Sequence, residues 1–205
     1  MKVTKAQAQK NRTRIVETAS TLFRERGYDG VGLAELMSTA GFTHGGFYNH
    51  FRSKADLMTQ SAALGFSRIA VGAGEIDLVE FVSRYVSKEH RDARGSGCTA
   101  AALCGDAARQ SDDVKASFEA GIEGLLTALA DACGKTEDGK PGAVRAKAIN
   151  ILAHSLGAVV LSRACPDGSS LADEILDVCG IQILATLPKS VAEGASQPSA
   201  VSLKL

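Results

Sequence analysis

From Lys10 to Arg26 apolar residues fall at Ile15, Val16, Ala19, Leu22 and Phe23, the spacing of one helix face. Gly27 stands where a helix would end in a left-handed residue, and Tyr28-Asp29-Gly30 reads as a turn. Two short helical segments follow over about 32–40 and 44–50, with Gly41 between them where positive φ is needed. Neither is long enough to be stable alone. Two short helices joined by a brief glycine-containing turn predict a helix-turn-helix, whose second helix typically enters the DNA major groove. Residues 1–9 carry no periodicity and read as a frayed arm.

Beyond this unit the 3.6-residue period continues. Ser53, with Asp56 three residues on, predicts the N-cap of a long helix through Leu57, Met58, Ala62 and Ile69 that ends near Gly72-Ala73-Gly74. A helix over about 75–90 places Leu78, Phe81, Val82, Tyr85 and Val86 on one face, and residues 91–97 form a loop. A short Ala-rich helix spans 99–109, and Ser111 with Asp112 and Asp113 caps the next, which carries Phe118, Ile122, Leu125, Leu126 and Leu129. Helices over about 142–164 and 171–187 complete the set; the first has so little polar face that it must be covered on several sides. From Lys189 onward Gly, Ser, Ala and Pro predict a disordered tail over 189–205. The expectation is an all-α chain of about nine helices: a three-helix domain over 1–52 and a helical body over 53–188.

Composition agrees with helix over sheet: hydrophobic residues are 45% of the chain, but aromatics are 5% and Trp is absent. The 23 Lys and Arg balance 23 Asp and Glu, which alone argues against a nucleic-acid binder. The balance hides an asymmetry. Residues 1–60 hold nine Lys and Arg against five acids, a net +4 that the remainder offsets with −4. A basic N-terminal quarter on an acidic body fits a chain that touches phosphates with that quarter only. The N-terminus has no apolar signal region, and no apolar run approaches the ~18 residues that span a bilayer. Five scattered cysteines do not predict a disulfide framework, so a reducing, cytoplasmic setting is expected.

Enzyme signals are weak. Gly95-Ser96-Gly97-Cys98-Thr99-Ala100 fits a dinucleotide fingerprint but follows no strand, and Gly139-Lys140 lacks the rest of a phosphate loop. No Cys or His pair has zinc spacing, and His154 lies within an apolar helix. Neither a catalytic constellation, a metal site nor a cofactor is expected. The stretch from Thr43 to Lys54 is richer. Thr43 can cap the second short helix, and Phe47 and Phe51, at i and i+4, would anchor it to the core. Tyr48, Asn49 and His50 then point partly outward: Tyr48 and His50 suit phosphate, whereas Asn49, with His44, suits base edges. Gly45 and Gly46 each cost a helix about 1 kcal/mol relative to Ala, which close approach to the DNA backbone would explain. Lys54 would add a phosphate contact.

Thr43-His44-Gly45-Gly46-Phe47-Tyr48-Asn49-His50-Phe51, followed by Ser53-Lys54, resembles the recognition helix of the TetR family of transcriptional repressors. Gly97-Cys98-Thr99-Ala100-Ala101-Ala102-Leu103, with Asp106 and Arg109, and Leu161-Ser162-Arg163-Ala164 resemble one subset of these regulators. The resemblance implies an all-helical homodimer in which the last two long helices of each subunit form a four-helix interface. It also implies DNA-contact roles for Thr43, Tyr48, His50 and Lys54, a palindromic double-stranded operator, and a body cavity for a small-molecule inducer. Two positions depart from the pattern: Gly32 stands where Thr or Ser usually caps the first short helix, and Met37 where a small Ala is usual. Apolar positions facing such a cavity are Phe66, Phe81, Tyr85, Phe118 and Ile122. Two alternatives stay open: a helical interaction module without DNA, and a redox or electrophile sensor built on Cys98, whose place at a helix start favours the thiolate.

Overall fold

The computed structural model describes residues 4–75, 77–134 and 141–187, and among them every regular element is helical. In chain order these are α1 (Lys5–Arg26), α2 (Leu33–Thr39), a 3-10 segment (His44–Asn49), α3 (Lys54–Glu75), α4 (Leu78–Tyr85) and α5 (Lys88–Asp92). A second 3-10 turn (Arg94–Ser96), α6 (Thr99–Ala107), α7 (Asp112–Cys133), α8 (Pro141–Arg163) and α9 (Ser170–Ala185) follow. The tail expected over 189–205 and the Gly139-Lys140 pair lie outside the described residues.

Several expectations need correction. The frayed arm is shorter than expected: the Thr4 side chain accepts from the Gln7 N–H at 3.2 Å, and that cap starts α1 at Lys5. The helix expected over 75–90 is two. Ser87 caps α5 by accepting from the His90 N–H at 3.1 Å, and Val86, at ψ 48°, leaves the helical region between them. The His90 ring then donates from Nδ1 to the Tyr85 carbonyl at 2.6 Å, satisfying an acceptor that the end of α4 would otherwise leave open. The segment after Gly41 is a 3-10 helix, the tighter form that suits short pieces. Thr43 makes no side-chain cap there; its carbonyl accepts from the Gly46 N–H at 3.0 Å. Helix α8 also overturns an expectation. Over Gly142–Arg163 it is long and apolar enough to cross a membrane by length and composition, with a mean hydropathy of 1.3. In this fold it packs along α7 and α9 and touches α6 instead, burying Ile151, Leu152, Ala158 and Val159.

The N-terminal core gathers Ile15, Ala19 and Phe23 of α1 around Tyr28, Val31, Leu36, Met37 and Phe47, all with no exposed surface. Gly27 and Gly41, at φ 74° and 83°, turn the chain at its two corners. In the body, α3 lies along α7. Gly121 permits their close approach: a Cβ there would collide with the Phe66 ring, which packs edge-on against Phe118 at 5.2 Å between centroids. Replacing Gly121 with Ala should therefore lower stability by about 1–3 kcal/mol, because overpacking outweighs the better helix propensity. Urea unfolding of Gly121→Ala reads this directly, and a stabilised variant would show that the two helices are not in such close contact.

Candidate nucleic-acid interface

The 3-10 segment rests on the core through Phe47, which is fully buried and stacks on Phe51 at 5.4 Å between ring centroids. With that face pinned, Thr43, His44, Tyr48 and Asn49 stand exposed together, and Gly46 and His50 are half-buried beside them. Tyr48 is 67% exposed while its ring meets Phe47 edge-on. Apart from its immediate chain neighbours, no described residue lies within 4 Å of where a Gly45 Cβ would sit, and a Gly46 Cβ would meet only Thr43 and Met37 at ordinary distances. Packing within the chain thus gives neither glycine a reason.

Lys54 is placed differently from the other six. Its Nζ donates to the Tyr28 carbonyl at 2.5 Å and lies 5.9 Å from the Phe23 ring centre. One donor of the ammonium is thereby used inside the protein, leaving the others for solvent or phosphate. At the start of α3 the expected acidic partner is in place: Asp56 accepts from the Arg52 N–H, and Ser53 accepts from the Asp56 N–H. Burial pushes the Asp56 carboxyl up, but the hydrogen bonds from Arg52 and Gln60 outweigh it and hold it below the usual carboxylate range.

Sequence reasoning counted Arg12 and Arg14 only as charges. The Arg12 guanidinium donates to the His50 carbonyl and lies 4.5 Å from the Phe51 ring centre, so α1 grips the end of the 3-10 segment. Arg14 reaches the Phe42 ring at 6.0 Å, beside Gly41. Their i, i+2 spacing gave no clue, because each contacts an aromatic nearly thirty or more positions away in sequence.

The five pocket residues do not share one cavity. Phe81 and Tyr85 line a hollow of about 650 Å³ with His90 and Gly97. Phe118 and Ile122 border a different one of about 490 Å³. Phe66 is buried against Phe118 and borders neither. At the back of the first hollow, His90 Nε2 accepts the Cys98 N–H at 2.9 Å while Nδ1 donates to Tyr85, which fixes the tautomer. Cys98 itself is 2% exposed. The Tyr85 hydroxyl is buried without a hydrogen-bond partner, and burial together with Cys98 raises its pKa well above that of a free phenol. Among the described residues no His, Cys, Asp and Glu cluster could hold a metal.

An exposed polar segment seated on a three-helix core, carried by an all-helical body, defines the class: a helix-turn-helix domain with a helical companion. Residues 15–60 match the model of bacterial regulatory proteins, tetR family. Residues 15–60 thus form an N-terminal helix-turn-helix domain of the tetR type. It is 37% identical over 75 residues to the transcriptional regulator AcrR of Shigella flexneri, covering 37% of this chain and 33% of AcrR. To the transcriptional repressor NemR of Escherichia coli K12 it is 25% identical over 131 residues, covering 59% of this chain and 66% of NemR. The chain thus spans between a third and just under two thirds of these relatives. The crystal structure of reduced E. coli NemR superposes with a TM-score of 0.70 at 22% identity, covering 87% of this chain and 97% of that one. AibR, solved with isovaleryl coenzyme A and operator DNA, superposes with a TM-score of 0.59 at 18% identity over 85% of this chain and 98% of AibR.

The buried His90 carries a pH dependence. Desolvation, the main cause, lowers its pKa below the ordinary imidazole value. The unfolded chain therefore binds a proton that the folded one refuses, so this contribution to stability is complete above about pH 6.5 and shrinks as pH falls below it. Urea midpoints taken from pH 7.5 to 5 should fall for the wild type and fall less for His90→Gln. Parallel pH profiles would mean that His90 is not the titrating group.

Proposed function

We propose that this chain is a sequence-specific DNA-binding transcriptional repressor, acting as a homodimer that leaves a palindromic operator when a small-molecule inducer occupies its body. One observation carries the DNA reading: Tyr48, 67% exposed, stands on a segment whose neighbour Phe47 is completely buried, flanked by open glycine backbone. A large exposed aromatic beside space for a close backbone approach fits a phosphate and sugar surface. Thr43, Tyr48, His50 and Lys54 would hold phosphates, Asn49 and His44 would read base edges, and Gly46 would let the helix sit close to the DNA. Arg12 supports the array from behind by fixing the His50 carbonyl. A chromosomal partner would place the protein in the cytoplasm.

The homodimer rests on a second feature. Among the described residues every other large exposed apolar side chain belongs to α8 or α9: Ile149, Val160, Leu161, Leu171, Val178 and Ile181. Leu171, Val178 and Ile181, at i, i+7 and i+10, form one stripe on α9. A second copy offering the same two helices would cover both stripes in a two-fold, self-complementary contact. The two reading heads of such a dimer would address successive major grooves about 34–36 Å apart. The hollow of Phe81 and Tyr85, apolar on one side and polar at His90, is the inducer site that the packing supports best. An inducer that binds better when the heads are misaligned shifts the population away from the operator-bound form.

Titration against DNA from the region upstream of the protein's own gene, at several salt concentrations, tests the first part. Each phosphate neutralised steepens the log–log salt slope by about 0.9. Tyr48→Ala should weaken the specific complex roughly ten-fold, about 1.4 kcal/mol, and leave the subunit association unchanged. Absent or salt-independent binding would leave a helical interaction module in place of a repressor. For the dimer, Ile181→Asp should sediment as a monomer with an unaltered far-UV spectrum; a persisting dimer would move the interface off α9.

A further inference from the structure

Three arginines from separate elements meet where α1 joins the body. Arg24 of α1 is 7% exposed; its Nε donates to the Gly95 carbonyl at 2.9 Å and its Nη1 to the Ser20 hydroxyl at 2.6 Å. Arg163, near the end of α8, donates to the Arg91 and His90 carbonyls at 2.9 and 2.8 Å, while its Nη1 is buried with no acceptor. Arg94, in the turn between them, is exposed. Among the described residues none of the three has a carboxylate within ion-pair distance, although nine such pairs form elsewhere. Burying guanidinium charge against neutral oxygens alone is costly unless a counter-ion arrives.

The space for one is present. Arg24, Arg94 and Arg163 line a hollow of about 400 Å³ with Glu25, Ala101 and Val160. A second hollow of about 710 Å³ shares Arg24, Glu25 and Arg94 with the first and adds Arg68 and Asp92. The acids nearby offset the group only in part: Asp92 is paired with Arg91, and Glu25, which borders both hollows, lies against Gly95 and forms no ion pair with any of the three arginines. Arg26, also on the smaller hollow, is paired with Glu35. Desolvation first, and then the neighbouring arginines Arg68 and Arg94, disfavour the charged forms of Arg24 and Arg163 respectively, and Glu25 and Asp92 only partly oppose this, so a bound anion would relieve the remainder.

We propose that the hollow between Arg24, Arg94 and Arg163 binds the anionic group of a small molecule, a phosphate or a carboxylate, and thereby ties α1 to the body. Planar guanidinium forks suit both anions by paired hydrogen bonds. Because Arg24 belongs to the helix that grips the DNA-facing segment through Arg12, the bound anion fixes the angle between reader and body. This coupling rests on the chain being a DNA-binding regulator; the anion site itself does not.

Calorimetric titration of the full chain without DNA, at constant ionic strength, tests the site with inorganic pyrophosphate and, separately, with succinate. At least one should bind saturably with one site per chain. Arg94→Gln, at an exposed position where folding is not at stake, should weaken that binding at least ten-fold, as should Arg163→Gln. Arg145→Gln, remote and paired with Glu123, should leave it unchanged. Binding of pyrophosphate alone identifies a phosphate site and binding of succinate alone a carboxylate site. No saturable binding of either, or equal binding by Arg94→Gln, overturns the proposal. In a DNA titration the anion should then shift the wild-type affinity and not that of Arg94→Gln. An unshifted wild type overturns the coupling, whereas a chain that binds the anion and no DNA at all refutes the regulator reading and leaves the site standing.

Discussion

The joint between the two halves of the chain depends on the backbone of one residue, Tyr28. Its N–H donates to Asp106 of α6 at 2.9 Å, and its carbonyl accepts from Lys54 of α3 at 2.5 Å. Both contacts require the chain to turn sharply after α1, which Gly27 allows at φ 74°, with the Asp106 carboxylate against its Cα where no Cβ would fit. The ring of Tyr28 is completely buried and meets Phe23 edge-on at 5.0 Å, so the turn is held by packing as well as by charge. A hydrogen bond to an ionised partner is worth more than a neutral one, and here two act on adjacent peptide groups. The helix-turn-helix takes its orientation from this point, because α1 enters it and α3 leaves it.

The corner explains how far the sequence could be read. Helical periodicity located every long element to within a few residues, since α1, α3, α7 and α9 each bury one continuous face. It failed where a local hydrogen bond competes with the period. The Ser87 cap splits a stretch whose apolar spacing continues through Val86, and the pair Gly45-Gly46 sits in a 3-10 turn where phenylalanine spacing alone implied an α-helix. Asp106 and Lys54 show a different limit. Both were visible as residues of the family pattern, but their shared partner, a backbone amide and carbonyl 78 and 26 positions away, has no signature in side-chain identity.

The body shows why an apolar stripe cannot distinguish a core from a cavity. Phe66, Phe81, Phe118 and Ile122 all fall at helical spacing, yet Phe66 is spent on the crowded contact with Gly121 and Phe118. Phe81 faces a hollow because α4 ends at Tyr85 and the chain turns away there. Whether an aromatic fills space or borders it is decided by what stands opposite, here a glycine in one case and the bend between two helices in the other. That choice is made by tertiary packing and leaves no trace in the period.

Charge was the least reliable guide of all. A net +4 in the first sixty residues pointed toward phosphates as a whole, but the cations there have three different fates. Arg12 is committed to a carbonyl and a ring, Lys54 spends one donor on the Tyr28 carbonyl and keeps the others, and Arg24 is buried facing the body. The positive face available to DNA is therefore smaller than the count, and one of its missing charges sits at the junction where control over that face would be exercised. Placing an unpaired guanidinium there costs stability in the free chain, which makes the junction responsive: any ligand that supplies the absent charge gains affinity from the same strain that the folded chain carries.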